Sequence, residues 1–188
     1  VTELIADIDE AFDGYDRWEC SGYDASEVSD GFTPFIPDWR EQVHYTRPWQ
    51  RRDGGVFTAD SPRMLERWFG LLTATGITEV IAGLFDEVPV TSLDKCALRR
   101  IVAGGGIEWH QDGAFLGADS GAVNLWVTLS DTDTAPGLEL VSRRFDHIVD
   151  TGTGGANYDW SVGPEVITEL SAETPVIRPR FAPGDAFI

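Results

Sequence analysis

The chain has 188 residues, of which 42 % are hydrophobic, with ten Phe and seven Trp. This length and composition are typical of a folded domain with a substantial core and exclude a disordered chain. Acidic residues outnumber basic ones 32 to 14, for a formal net charge of -18. So much negative charge repels nucleic-acid phosphates and anionic lipid surfaces. We therefore expect a small-molecule partner, no nucleic acid and no membrane, and the sequence leaves the oligomeric state open.

The cysteine count and the hydropathy pattern indicate a cytoplasmic protein. Cys20 and Cys96 form no CxxC motif and are too few for a disulfide framework, so reduced thiols in a cytosol are the simplest interpretation. No apolar run approaches the ~18 residues that a transmembrane helix requires.

Turn-forming residues, prolines and aromatics fill much of the first 60 residues, which we expect to form an irregular wrap over a core. Within it, the first twelve residues predict a short amphipathic helix. The apolar residues on one side of that helix would be Leu4, Ile5, Ile8 and Phe12.

Two helices are predicted between residues 61 and 88. Ser61 is a good N-cap and Pro62 suits the first helical position, while Gly76 ends the first helix. The apolar positions at helical spacing in the first helix are Leu65, Trp68, Phe69 and Leu72. In the second helix we expect Ile77, Val80, Ile81 and Leu84 to be buried.

Short strands separated by glycine and proline turns are predicted from residue 93 onward. The clearest is "AVNLWVTLS", residues 122–130, in which apolar and mostly polar positions alternate. This order of elements predicts a mainly β fold, a sandwich or barrel with flanking helices, in a single domain over residues 1–188. The last residues, "RPRFAPGDAFI", have the pattern strand, turn, strand, so we expect the fold to be incomplete at the C-terminus.

His110 and Asp112 are the strongest candidates for metal ligands. In a strand, residues i and i+2 face the same side, so the imidazole and the carboxylate would point to one place. With one more His they would form the two-His-one-carboxylate triad of non-haem iron oxygenases. An isolated HxD motif is more often a surface turn with a solvated histidine, and that alternative stays open for the motif alone.

The stretches "LRRIVAGGGIEWHQDGAFLG", "VNLWVTLSDTDTAPGLELVSRRF" and "RPRFAPGDAFI", within residues 93–188, resemble the phytanoyl-CoA dioxygenase family. These proteins are Fe(II)- and 2-oxoglutarate-dependent oxygenases. The resemblance implies a double-stranded β-helix, which is a cupin-like jelly roll, with His110 and Asp112 as iron ligands and O2 as the oxidant. It also implies a further His ligand and a 2-oxoglutarate-binding Arg, both expected beyond Ile188. Asp112 favours hydroxylation over halogenation, because related halogenases have a small residue there.

Four other residues are candidates for the site. The family places a Trp beside the cosubstrate, so Trp126, and less firmly Asn124, are expected to contact 2-oxoglutarate; the alternative for both is ordinary packing. Trp109 and Phe115 flank the ligands and are expected to line the substrate pocket, although aromatic residues near a turn are more often core.

Other polar residues are weaker candidates. His147 is expected to be a loop histidine and not the third ligand, and His44 a packed residue. The glycine-rich segment 151–156 lacks the Lys-Ser/Thr sequence of a phosphate-binding loop.

Two functional hypotheses follow. The first is an oxygenase that hydroxylates an unidentified small molecule, with this chain inactive unless the missing groups are supplied. The alternative is a catalytically silent jelly-roll binding protein with a partial metal site. A metal-dependent hydrolase would need a second ligand cluster, and the sequence shows none.

Overall fold

The fold is taken from a computed structural model. It describes residues 1–22, 24–35, 55–93, 95–100, 106–116, 121–131 and 137–188. Of these residues, about 40 % are helical and about 9 % lie in strands. The chain, expected to be one domain, divides into two compact units, Val1–Ile101 and Val102–Ile188, and each is described by itself.

In the first unit the elements are, in chain order, α1 (Thr2–Cys20), a 3-10 helix (Ala25–Glu27), β1 (Gly55–Phe57), a second 3-10 helix (Thr58–Asp60), α2 (Pro62–Ala74), α3 (Ile77–Phe85) and β2 (Ala97–Arg99). In the second unit they are α4 (Gly113–Leu116), β3 (Trp126–Val127), β4 (Leu140–Val141), α5 (Pro164–Glu173), β5 (Val176–Ile177) and β6 (Ala186–Phe187).

The expected jelly roll is wrong for the part of the chain that the structure describes. The described strands form three separate antiparallel sheets, β1–β2, β3–β6 and β4–β5, each with two strands. Each strand is only two or three residues long. The strand predicted over 122–130 shrinks to Trp126–Val127, because alternation makes a strand only where another strand pairs with it. Proline has no backbone N–H to donate to a neighbouring strand. The region near the end of the chain contains three prolines, Pro175, Pro179 and Pro183, which limit the length of any strand that could pair there.

Helix α1 is longer than the twelve-residue helix predicted and replaces the first third of the expected wrap. Of the predicted apolar side, Leu4 and Phe12 are buried, but Ile5 is exposed. The helix continues to Cys20 and turns a different face inward, so that Trp18 is also buried. The Trp18 ring packs against the fully buried Phe32, with ring centroids 5.7 Å apart.

Arginines outside α1 neutralise its acidic surface. Arg67 donates hydrogen bonds to Asp7 and Glu3, and the Asp7 bond raises the pKa of the Arg67 guanidinium above its ordinary value. Arg63 pairs with Glu10. These interactions fasten α1 to α2 and place opposite charges together in a strongly acidic chain.

The predicted start and end of α2 are confirmed. The Ser61 side chain accepts a hydrogen bond from the Met64 N–H, Pro62 follows it, and Gly76 has the left-handed φ of 70°. The predicted burial in α3 is wrong, since none of its residues is buried and the exposed fraction of Leu84 is 64 %. No described helix by itself is long and apolar enough to cross a membrane, although α2 and α3, bent by 70°, pass that test as a pair.

Asp60 connects the backbone of residues 33–35 to that of Phe57 in the first unit. Its carboxylate accepts hydrogen bonds from the Phe35 N–H (2.8 Å) and the Phe57 N–H (3.2 Å), and its carbonyl accepts one from the Thr33 N–H (2.7 Å). The residue is only 1 % exposed. A buried charge is stable only when hydrogen bonds replace its hydration, and these backbone donors do so.

The glycine-rich segment 151–156 caps helix α5. The Gly154 carbonyl accepts a hydrogen bond from the Glu165 N–H at 3.1 Å, and Gly154 and Gly155 both have left-handed φ angles. Gly163 lies so close to this segment that a Cβ atom there would be 2.1 Å from the Thr153 carbonyl oxygen. The Gly154 carbonyl of this segment therefore satisfies one N–H group at the N-terminus of α5.

We expect Asp60→Asn to destabilise the first unit by about 2 kcal/mol, because one buried N–H donor would then face an amide NH2 group instead of an oxygen. Urea unfolding followed by circular dichroism measures this. Asp86→Asn is the matched control, since Asp86 is exposed in a left-handed turn that Asn tolerates. Equal unfolding midpoints for the two variants would contradict the assigned role of Asp60.

Gly163→Ala should lower the stability of the second unit by about 1–3 kcal/mol, because backbone atoms obstruct the added methyl group. Gly106→Ala adds the same methyl group with no atom within 4 Å of it. The thermal unfolding midpoints of the two variants are compared. A lower midpoint for Gly106→Ala than for Gly163→Ala would contradict the close packing of Gly163.

Candidate metal centre

His110 and Asp112 lie on a turn that leads into the short helix α4, and not on the strand from which their convergence was expected. The Gln111 carbonyl accepts a hydrogen bond from the Ala114 N–H, and the Asp112 carbonyl accepts one from the Phe115 N–H, both at 3.0 Å. This turn, and not strand alternation, sets the directions of the two side chains.

The two candidate ligands face each other. His110 Nε2 is 3.4 Å from Asp112 Oδ1, and both side chains are partly exposed. Two atoms at this separation can both lie about 2.1 Å from one cation, the usual distance for bonds from His and carboxylate to a divalent metal. The pair thus fits a first-row divalent metal in spacing and in ligand type.

A hydrogen bond to the backbone determines which nitrogen of His110 is available. Nδ1 is 2.7 Å from the Glu108 carbonyl oxygen. Because a carbonyl can only accept, Nδ1 carries the hydrogen, and in a neutral imidazole the lone pair is then on Nε2. That lone pair faces a carboxylate oxygen, so a proton or a metal ion between the two atoms is required to make the contact favourable. Ligand histidines in metal sites are commonly oriented by this kind of backbone bond.

Asn124 is part of the same group, but with a different contact from the one expected. Its side-chain NH2 donates to Asp112 Oδ2 at 2.5 Å, which leaves Oδ1 for His110. Trp126, the other expected cosubstrate contact, pairs with Phe187 in the β3–β6 ladder, and its ring packs against Phe181 with centroids 5.1 Å apart. The described contacts therefore place Asn124 at the pair and Trp126 in an aromatic cluster.

Of the expected substrate-pocket residues, Phe115 lies at the pair and Trp109 has a backbone role. The Phe115 ring centroid is 5.8 Å from that of His110. The Trp109 carbonyl accepts a hydrogen bond from the Val162 N–H at 2.7 Å. Sequence reasoning missed Trp160, whose ring centroid is 5.9 Å from His110. The sequence feature that could have indicated Trp160 is the pair of aromatic residues two positions apart in "NYDW", residues 157–160.

Gln111, between the two candidate ligands, joins their turn to residues 147–149. Its side-chain NH2 donates to the His147 carbonyl, and its Oε1 accepts from the Val149 N–H at 2.6 Å. The His147 ring instead contacts Asp146 Oδ1 at 2.8 Å, and this hydrogen bond holds the pKa of Asp146 below its ordinary value. His44 lies outside the described residues.

In comparisons with protein-family models, curated proteins and solved structures, the chain has no match. Function is therefore inferred from the residues of the site. Across the described ranges, no group of three or more His, Cys, Asp or Glu side chains is placed to hold a metal ion. Within those ranges, the site offers the two candidate ligands His110 and Asp112.

Asn124→Ala should weaken the binding of cobalt(II), a spectroscopic substitute for iron(II), by about 10-fold, because Asp112 would lose the partner that orients it. Thr168→Ala is the control, since its hydroxyl donates within helix α5 to the Pro164 carbonyl and not to a candidate ligand. Calorimetric titration gives the affinities. Equal losses in the two variants would show that Asn124 has no specific effect on the site.

Proposed function

We propose that His110 and Asp112 bind iron(II), and that the protein is a 2-oxoglutarate-dependent oxygenase that hydroxylates a small molecule. The observation that carries the metal site is the approach of His110 Nε2 to Asp112 Oδ1, with Nδ1 held by the Glu108 carbonyl. The oxygenase chemistry comes from the resemblance of the segments around these residues to the phytanoyl-CoA dioxygenase family.

The ligand types support this proposal. One neutral imidazole and one carboxylate are two of the three protein ligands of the facial triad, which leaves positions for the cosubstrate and O2. Iron(II), with 2-oxoglutarate and O2, would supply the oxidation of a C–H bond. Trp126 remains a proposed cosubstrate contact by resemblance only, whereas the hydrogen bond of Asn124 to Asp112 favours an orienting role for the Asn.

The residues around the pair would orient the ligands and exclude water. The Glu108 carbonyl fixes the His110 ring, and Asn124 fixes the carboxylate. Phe115 and Trp160 pack beside the imidazole and limit the access of solvent to it. Trp109 and Phe115 stay the proposed walls of the substrate pocket. We also propose a cytoplasmic location, because Cys20 and Cys96 are not joined in a disulfide.

The second candidate function is a catalytically silent binding protein with a partial metal site. The observation in its favour is that only two ligands converge within the described ranges. Both proposals require metal binding, but only the oxygenase requires turnover of 2-oxoglutarate.

His110→Ala and Asp112→Ala should each reduce cobalt(II) affinity by more than about 100-fold, since removing a ligand costs more than removing an outer partner. His147→Ala should leave the affinity unchanged, because the His147 ring pairs with Asp146. Cobalt(II) absorption titrations measure all three. Equal affinities for the wild-type protein and the two ligand variants would overturn the metal site.

Succinate formation separates the two functions. An iron-loaded protein that also supplies the further His ligand and the 2-oxoglutarate-binding Arg implied by the resemblance should form succinate from 2-oxoglutarate and O2, and its His110→Ala variant should form none. Tight metal binding without succinate formation would reject the oxygenase and favour the silent binding protein.

A further inference from the structure

Three aromatic rings form a continuous row beside His110, which we name the aromatic row: Phe115, Trp160 and Tyr158. The Trp160 ring is in the middle, 5.9 Å from Phe115 and 5.1 Å from Tyr158 between centroids. Tyr158 and Trp160 are stacked almost parallel, with 5° between their planes. The Phe115 and Trp160 rings also lie beside the candidate ligand His110.

The two ends of the row are open to solvent. Phe115 is 45 % exposed and Tyr158 is 49 % exposed. Packing within the row does not cover these rings, so part of each is available to a ligand. The face of an aromatic ring carries partial negative charge and attracts apolar groups and cations.

The segments that carry the row are acidic. The segments that carry the row and the candidate ligands are 106–116, 121–131 and 151–163, and they contain no Lys or Arg. Their carboxylates are Glu108, Asp112, Asp131 and Asp159. Asp159, between Tyr158 and Trp160 in the sequence, is exposed and has no ionic or hydrogen-bonding partner among the described residues. This setting attracts a cation and repels a phosphate-bearing molecule.

We propose that the aromatic row binds a small organic cation, a quaternary ammonium or protonated amine with an apolar body. This names the substrate class of the oxygenase and in that respect rests on the proposed function. The cationic group lies against the exposed rings, and the apolar body extends toward His110 and Asp112. Acyl thioesters of coenzyme A, which carry several phosphate charges, do not fit this surface.

Choline and 3,3-dimethylbutan-1-ol provide a matched pair of probes, because they share shape and hydroxyl group and differ in the positive charge. We expect choline to bind about threefold more tightly, the difference that a cation–π contact at an exposed site supplies. Coenzyme A should not bind. Two-dimensional NMR titration of the whole chain with a metal chelator present measures all three affinities.

Variants locate the binding to the row. Tyr158→Leu should weaken choline binding. Tyr158→Phe, which keeps the aromatic ring, should bind choline as the wild-type protein does. Phe69→Leu in the first unit is the control, because Phe69 has a similar exposed fraction of 42 %. The proposal is overturned if choline shows no saturable binding, if the neutral probe binds equally well, if coenzyme A binds more tightly, or if Phe69→Leu has the effect expected of Tyr158→Leu.

The two proposals can fail separately. Choline binding is measured without metal. A failure of choline to bind would therefore leave the conclusions from the cobalt(II) affinities unchanged. Conversely, a chain that binds choline but no metal would keep the cation site and lose the oxygenase.

Discussion

The hydrogen bond from His110 Nδ1 to the Glu108 carbonyl is the constraint on which the rest of the site depends. It leaves Nε2 as the available nitrogen and turns it toward Asp112 Oδ1. Without it, the imidazole could present either nitrogen, and the neighbouring carboxylate would have no defined partner. Asn124 applies the same principle to the carboxylate, because its hydrogen bond to Oδ2 leaves the other oxygen for His110. The two side chains that we propose as ligands are thus held by groups that would not themselves bind the cation.

Charge is used differently around α1 and around His110. In the first case, Arg63 and Arg67 pair with the acidic face of α1, so that attraction between opposite charges helps to hold helices together. In the second case, the segments around His110 contain carboxylates and no Lys or Arg. These segments therefore carry a local excess of negative charge in their sequence. This contrast connects the overall acidity of the chain to the substrate class that we infer.

Local signals in the sequence predicted helices better than sheets. Ser61, Pro62 and Gly76 determine where α2 begins and ends through hydrogen bonds and backbone angles within a few residues. A sheet depends on a distant partner, and the alternation in residues 122–130 does not reveal that Ala186–Phe187 is the strand that pairs with this segment. For the site, residue types identified His110 and Asp112 as candidates. The turn that directs them and the approach of Trp160 arise from tertiary contacts that the sequence does not show.

The most direct measurement of the central claim is 15N NMR of the histidine rings, recorded with and without zinc(II) as a diamagnetic substitute for iron(II). The His110 signals are assigned by comparison with a His110 variant. Zinc(II) should shift the Nε2 resonance of His110 to the range of a metal-bound nitrogen while Nδ1 keeps its hydrogen. A metal bound through Nδ1, or an Nε2 resonance that zinc(II) does not change, would contradict the claim.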